Sequence, residues 1–318
     1  MIKIIFAGSP DAARLTLERL YEAQSTCGFE IAGILSNPPS AKGRHKELIP
    51  TPVAAFGAEK GLPVFTPEHL DSQARQAISP LGVDLLVSFA YGHIFGPKFL
   101  ALFPLGGINL HPSLLPKYRG CTPVPAAILN RDKQTAVTVQ TLSLKMDEGD
   151  ILAQTLVNLK GTETGQSLLN YSAEEGAKLI LEIIKKTASD GKLPEGQPQT
   201  GDASYTGIIK KEDGRIKWSD TAENIEAKIR AYYPEPGCWC LENDSPLRIL
   251  EAGLYSGNAE TSSAAAGTVL EFSKPDGILI KTGKGILAVK KLQRQGKNAM
   301  DYKSFMNGAR NFIGTVLL

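Results

Sequence analysis

Asn109 and His111 stand two residues apart in the run Ile108-Asn-Leu-His-Pro112. In an extended chain that spacing sends both side chains to one face. A neutral amide donor and an imidazole that titrates near neutral pH then address one space. Acyl transfer to an amine uses such a pair, one group for the developing oxyanion and one for the proton. Pro112 ends the strand, because it has no N–H for the ladder and fixes its own φ. The loop that follows, Ser113-Leu-Leu-Pro-Lys-Tyr-Arg-Gly120, adds a hydroxyl, two cations and an aromatic ring. The imidazole also needs a carboxylate to hold its charge state and tautomer. The turn Met146-Asp-Glu-Gly-Asp150 follows a predicted strand and supplies three. Asp147 is the best candidate, with Glu148 and Asp150 its rivals on spacing alone.

The elements that must position these groups alternate between strand and helix. Ile2 to Ala7 is a buried apolar run, and Gly8-Ser-Pro-Asp11 turns into a helix with Ala13, Leu17 and Leu20 on its apolar side. There is no Gly-x-Gly-x-x-Gly, so a dinucleotide site is disfavoured. Strands are predicted at Phe29 to Leu35, Val83 to Ser88, Thr135 to Leu142 and Ile151 to Leu159, and a long amphipathic helix at Thr164 to Ser189. The pattern predicts a Rossmann-like, doubly wound α/β sheet domain over residues 1–189. Two loops stand out. Asn37 to Pro52 is read as a long structureless loop carrying Lys42, Gly43, Arg44, His45 and Lys46, a basic arm suited to phosphates. Phe89-Ala90-Tyr91-Gly92-His93-Ile94 lies at a strand's C-terminal end and can wall a flat heterocycle.

Residues 190–204 are rich in Gly, Pro and polar side chains and read as a linker. Beyond it, residues 205–318 carry short strands at Cys238–Leu241, Leu247–Ala252, Gly267–Phe272, Gly277–Thr282 and Ile286–Gln293, the pattern of a small OB-like β-barrel. From Ile278 onward the cations Lys281, Lys284, Lys290, Lys291, Arg294, Lys297, Lys303 and Arg310 face one acid, Asp301, a balance that fits a nucleic-acid backbone.

Composition bounds the rest. The 318 residues, 42% apolar and 21% charged, are those of a globular protein with room for two domains. Cys27, Cys121, Cys238 and Cys240 are too scattered for a disulfide scaffold or a zinc site, so no metal is expected. With no signal peptide and no apolar run near ~18 residues, the expected location is the cytoplasm.

Asn109-x-His111 followed by Ser-Leu-Leu-Pro-x-x-Arg-Gly resembles the signature of the 10-formyltetrahydrofolate-dependent formyltransferases. Phe6-Ala-Gly-x-Pro-Asp11, Gly43-Arg44, Ala90-Tyr91-Gly92, the Trp218 region and Leu292-Gln-Arg-Gln-Gly-Lys-x-x-Met300 are similar to the branch of that family acting on initiator methionyl-tRNA. The resemblance implies a formyl transfer from 10-formyltetrahydrofolate, and its Asp-x-Gly-Asp element assigns the catalytic aspartate to Asp147 beside Asn109 and His111. It implies a pterin site along Phe89, Ala90, Tyr91, Gly92, His93 and Ile94, bordered by Ser113, Leu114, Leu115 and Pro116. It further implies that the arm Lys42–Lys46 enters the acceptor end of the tRNA. The barrel, through Lys281, Lys290, Lys291, Arg294 and Lys297, would hold the tRNA's inner side, and the protein would act as a monomer. The alternatives are a formyltransferase acting on an amino sugar or ribonucleotide amine, and a tRNA-binding protein without catalysis.

Overall fold

The computed structural model describes residues 1–42, 47–257 and 263–318, without the side chains of Lys42 and Arg310. Gly43, Arg44, His45 and Lys46 of the basic arm therefore lie outside the described residues. The chain forms two units. One comprises Met1–Pro123, Gln134–Asn158 and Leu169–Gly207, and the other Val124–Lys133, Leu159–Leu168 and Ile208–Leu318.

The first unit is built on a seven-stranded sheet. Its order across the sheet is Ile151–Asn158, Gln134–Thr141, Gly107–His111, Leu85–Phe89, Ile2–Gly8, Phe29–Leu35 and Val64–Phe65. The five strands from Gly107–His111 to Val64–Phe65 run parallel, and Gln134–Thr141 turns the direction. The opening strand is apolar on both sides because both faces are covered. Ile4 and Phe6 join a core with Leu17 and Leu20 of the helix Asp11–Cys27 and with Ile180 and Ile184 of the helix Gly165–Asp190. Ile5 and Ala7 join a second core with Leu86, Phe95, Phe99 and Phe103. Strand order reverses around Ile2–Gly8, which makes the ends of Ile2–Gly8 and Leu85–Phe89 a topological switch point, where open α/β sheets take ligands. Gly8 lets the chains close there, since a Cβ would stand 2.7 Å from the Phe89 carbonyl oxygen.

Two loop readings are corrected. The Asn37–Pro52 stretch is not structureless: Ser40–Lys42 pairs antiparallel with Glu47–Ile49. Leu48 and Ile49 are exposed, so this ribbon has no buried face and no apolar alternation for a sequence to display. Residues 191–204 lie within the first unit. Ile151 and Gln197 exchange backbone hydrogen bonds at 2.8 and 2.9 Å, and Tyr205–Thr206 pairs parallel with Arg119–Gly120. This strap is held mainly by backbone and amide groups, with Leu193 its apolar contact to the first core, which is why its composition resembles a linker.

The second unit carries the antiparallel strands Cys238–Glu242, Ser245–Leu254, Ile286–Arg294, Gly277–Lys281 and Val269–Ser273, in that order across the sheet. Leu247, Ile249, Ile278, Ile280, Leu287 and Val289 are buried in it. The chain's last residues join the two edges. Leu318 exchanges backbone hydrogen bonds with Leu241 on one edge strand (2.7 and 3.0 Å), and Thr315 accepts from Val269 on the other (2.9 Å). The edges are thereby covered, as a barrel-like sheet requires. Asp301 caps the helix Tyr302–Gly308, accepting from the N–H groups of Lys303 and Ser304, so this acid has a local structural task.

Candidate active site

His111 ends its strand nearly buried. Its Nε2 lies 2.9 Å from the Tyr118 carbonyl oxygen. A carbonyl only accepts, so Nε2 carries the hydrogen and the neutral ring keeps its lone pair on Nδ1. Nδ1 faces Asp147 Oδ1 at 3.6 Å. Burial lowers the His111 pKa from 6.5, and the Asp147 charge and the Tyr118 hydrogen bond only partly oppose it. The ring is therefore a neutral base at neutral pH, with a carboxylate placed to meet the imidazolium it would become.

The cross-strand register brings the rest of the site together. Asn109 stands opposite Gln140, and His111 opposite Thr138. Asn109 Nδ2 donates to Asp147 Oδ1 at a long 3.4 Å, Gln140 Nε2 donates to the same oxygen at 2.9 Å, and the Gly120 N–H donates to Oδ2 at 2.7 Å. Asp147 itself is left-handed, with φ 54°. Gly149 permits the turn to close, because a Cβ there would collide with the Thr141 carbonyl oxygen. Of the rivals left by spacing, Glu148 pairs with Arg119 at 3.2 Å and accepts from the Tyr205 hydroxyl at 2.8 Å. The Asp150 backbone N–H is bonded to Thr141 Oγ1. Asp147 is the carboxylate that meets His111.

The Phe89–Ile94 segment differs from an aromatic wall. Phe89 and Tyr91 are 1% and 2% exposed and belong to the two cores, while Ala90, Gly92, His93 and Ile94 are exposed. Burial pushes the Tyr91 phenol up to about 12. Ala90, at φ 50°, reverses the expected alternation, so Tyr91 falls into the opposite core from Phe89. What this segment offers a ligand is backbone at Ala90 and Gly92 and the side chains of His93 and Ile94. It is tied to the base of the arm: the Asn37 amide donates to the Tyr91 carbonyl at 3.0 Å and its Oδ1 accepts from His93 Nε2 at 2.7 Å. Ser113 Oγ donates to the Lys117 carbonyl, and the Ser113 carbonyl accepts from Thr138 Oγ1. Ser113, Leu115 and Pro116 are buried and Leu114 half-buried, so these residues shape the loop from within.

Three groups at this site went unnoticed in the sequence, Gln140, Gln199 and Tyr205, and Arg119 was noted only as a cation of its loop. Gln199 Nε2 lies 2.8 Å from the carbonyls of both Asp147 and Gly149 and 3.1 Å from Gln140 Oε1, and Arg119 forks onto Gln199 Oε1 at 3.1 and 2.8 Å. The one signal available was Gln140, a long polar side chain inside a strand whose residues from Thr135 to Val139 are small, apolar or β-branched.

In the second unit Lys291 and Lys297 are exposed and Lys281 half-buried. Lys290 sits over the Tyr302 ring at 5.5 Å. Arg294 is engaged internally, forking onto Glu242 at 2.7 and 2.6 Å over the face of Phe305. Cys238 and Cys240 are buried free thiols pushed up to about 12 by burial, and hence inert. Among the described residues no group of three His, Cys, Asp or Glu side chains is placed to hold a metal, and no helix is long and apolar enough to cross a membrane.

Comparison with known proteins defines the class. Residues 2–184 match the formyl transferase family and residues 208–310 the formyl transferase C-terminal domain. The chain belongs to the formyl transferase family. It is 43% identical to the methionyl-tRNA formyltransferase of Treponema denticola, over 98% of each chain. Among solved structures, it resembles the methionyl-tRNA formyltransferase of Clostridium thermocellum (TM-score 0.59, 17% identity, 81% of this chain and 96% of that one). It also resembles HypX of Aquifex aeolicus in complex with tetrahydrofolic acid (TM-score 0.64, 14% identity), covering 98% of this chain and about half, 48%, of that one. At those identities the structural likeness establishes the fold.

Proposed function

We propose that this chain transfers the formyl group of 10-formyltetrahydrofolate to the α-amino group of methionyl initiator tRNA. The observation that carries the chemistry is the state of His111: its Nε2–H is held by Tyr118, so Nδ1 is the basic atom and it faces Asp147. Full-length likeness to a methionyl-tRNA formyltransferase supports the choice of acceptor. The folate supplies an activated N-formyl carbon. His111 Nδ1 takes the proton released as the methionyl nitrogen bonds to that carbon, and returns it to the departing folate nitrogen. Asn109 has two amide hydrogens; Asp147 holds one, and the other serves the formyl oxygen as charge develops there. Asp147 keeps the imidazolium stable while it exists.

The exposed strip Ala90, Gly92, His93 and Ile94, at the sheet's switch point, fits the edge of a flat pterin through backbone groups. The arm Lys42–Lys46 and the cations Lys281, Lys290, Lys291 and Lys297 serve the tRNA backbone. The protein works as a cytoplasmic monomer, since one chain supplies Asn109, His111 and Asp147. The test is a formyl-transfer assay with the folate donor and charged initiator or elongator tRNA. Transfer to the initiator alone is expected. Transfer to neither would refute the acceptor assignment.

A further inference from the structure

We propose that Gln199 is a positioning residue that sets where the Asp147 carboxylate stands against His111; this rests on the reading of His111 as the base. The turn around Asp147 is poorly supported by its own backbone. Asp147 is left-handed, a conformation that costs of order 1 kcal/mol or more for a side chain other than glycine. Within the turn the Glu148 N–H reaches the Lys145 carbonyl only at 3.5 Å. The carbonyls of Asp147 and Gly149 find their partner in a single amide, Gln199 Nε2, at 2.8 Å each.

A second route runs to the carboxylate itself. Gln199 Nε2 also lies 3.1 Å from Gln140 Oε1, its two hydrogens shared among three acceptors, and Gln140 Nε2 donates to Asp147 Oδ1 at 2.9 Å. Gln199 and the carboxylate thus hold the Gln140 amide from its two ends, Gln199 fixing the oxygen while Asp147 accepts from the nitrogen. It does not follow the turn passively, because its own oxygen is gripped by both arms of the Arg119 fork and its segment is pinned at Gln197 and at Tyr205–Thr206. One side chain from a distant part of the sequence therefore fixes both the backbone and the carboxylate of Asp147.

The charged group facing His111 is Asp147, from the turn after its neighbouring strand; the 113–120 loop presents the Tyr118 carbonyl, and its own strand presents Asn109. Of the other charges on these loops, Arg119 pairs with Glu148 at 3.2 Å, Lys145 reaches Glu148 at 3.7 Å, and Lys117 is exposed. If Asp147 drifts, His111 loses its counter-charge while remaining buried, and its proton affinity falls. Three variants separate the possibilities. Gln199→Ala removes the side chain, Gln199→Met keeps its bulk, and Gln199→Glu keeps an acceptor for Arg119 but has no hydrogen to give. The first readout is the NMR titration of His111, one of four histidines, which needs no turnover. The second is kcat against KM in the formyl-transfer assay.

Gln199→Ala and Gln199→Met are expected to lower the His111 titration midpoint below the wild-type value, and all three variants to reduce kcat. The kcat loss is expected at about 10–100-fold, with both KM values within about twofold and the circular dichroism unchanged. Should Gln199→Ala fail to fold, Gln199→Met carries the comparison. An unmoved His111 titration in Gln199→Met, a loss confined to KM, or wild-type behaviour in Gln199→Glu would overturn the proposal. A wild-type protein that formylates neither tRNA would instead overturn the assigned reaction, and the titration would still decide the role of Gln199.

Discussion

Replacing Asp147 by Asn tests the central chemical claim with little change of shape. Opposite unit charges at the 3.6 Å separation of His111 Nδ1 and Asp147 Oδ1 attract by about 4–5 kcal/mol at an effective dielectric near 20. Because the imidazolium exists only during proton transfer, its loss of stabilisation appears in the barrier, as about a 10³-fold fall in kcat. The amide has a second consequence. Both carboxylate oxygens accept, Oδ1 from Asn109 and Gln140 and Oδ2 from Gly120. An amide must turn its NH2 toward one of these donors, which costs about 1–3 kcal/mol and lowers the melting temperature by a few degrees. The pH profile distinguishes the two effects. Asp147 raises the proton affinity of His111 against the larger lowering by burial. Without it, the acid limb of kcat/KM moves to lower pH even as the plateau falls. Full activity in Asp147→Asn, or an acid limb moved upward, would refute the reasoning.

Two further outcomes follow from the same groups. His111 has a pKa lowered on folding, so the unfolded chain binds its proton more readily. Its contribution to stability is intact above pH 6.5 and is lost as pH falls below that value toward the folded-state pKa; urea titrations across pH 5–7 should lose this slope in His111→Gln, and an unchanged slope would exclude the effect. Arg294 and Lys291 should part company: Arg294→Ala breaks the fork to Glu242 and lowers the melting temperature, whereas Lys291→Ala, an exposed site, leaves stability alone and raises the KM for tRNA with a shallower salt dependence.

The sequence disclosed the chemistry of this site better than its support. Asn109 and His111 were legible because a two-residue spacing in a strand fixes a shared face, and a local motif carried Asp147. The alternating helices and strands were legible because each buries a periodic apolar face; the expected Gly277–Thr282 and Ile286–Gln293 strands differ from the observed ones by a single residue at one end. Gln140 was not legible, because its place beside Asp147 depends on the pairing of Asn109 with Gln140, which links positions 31 residues apart. Phe89 and Tyr91 misled because a single left-handed residue, Ala90, undoes the alternation that a strand ending would otherwise keep. The strap at 191–204 gave no signal at all: it buries few apolar groups and acts through an amide and its backbone.

Three of the six non-glycine residues with positive φ among the described residues, Ala90, Tyr118 and Asp147, lie at this site. Each has a task that an ordinary conformation would not perform. Ala90 turns Tyr91 into the core and leaves an exposed backbone strip, Tyr118 directs its carbonyl at His111 Nε2, and Asp147 brings its carboxylate to Nδ1. The conformational cost is borne because neighbouring chains approach too closely for the loops to relax. A Cβ at Gly120 would collide with the Thr206 carbonyl and one at Gly149 with the Thr141 carbonyl, so backbone packs on backbone on both sides of Asp147. A buried base is useful only if the counter-charge is already in place when the proton arrives, since reorganising a dipole during the reaction would add to the barrier. The strained turns, the two close glycines and the glutamine pair are the means by which this chain holds Asp147 at that position before substrate binds.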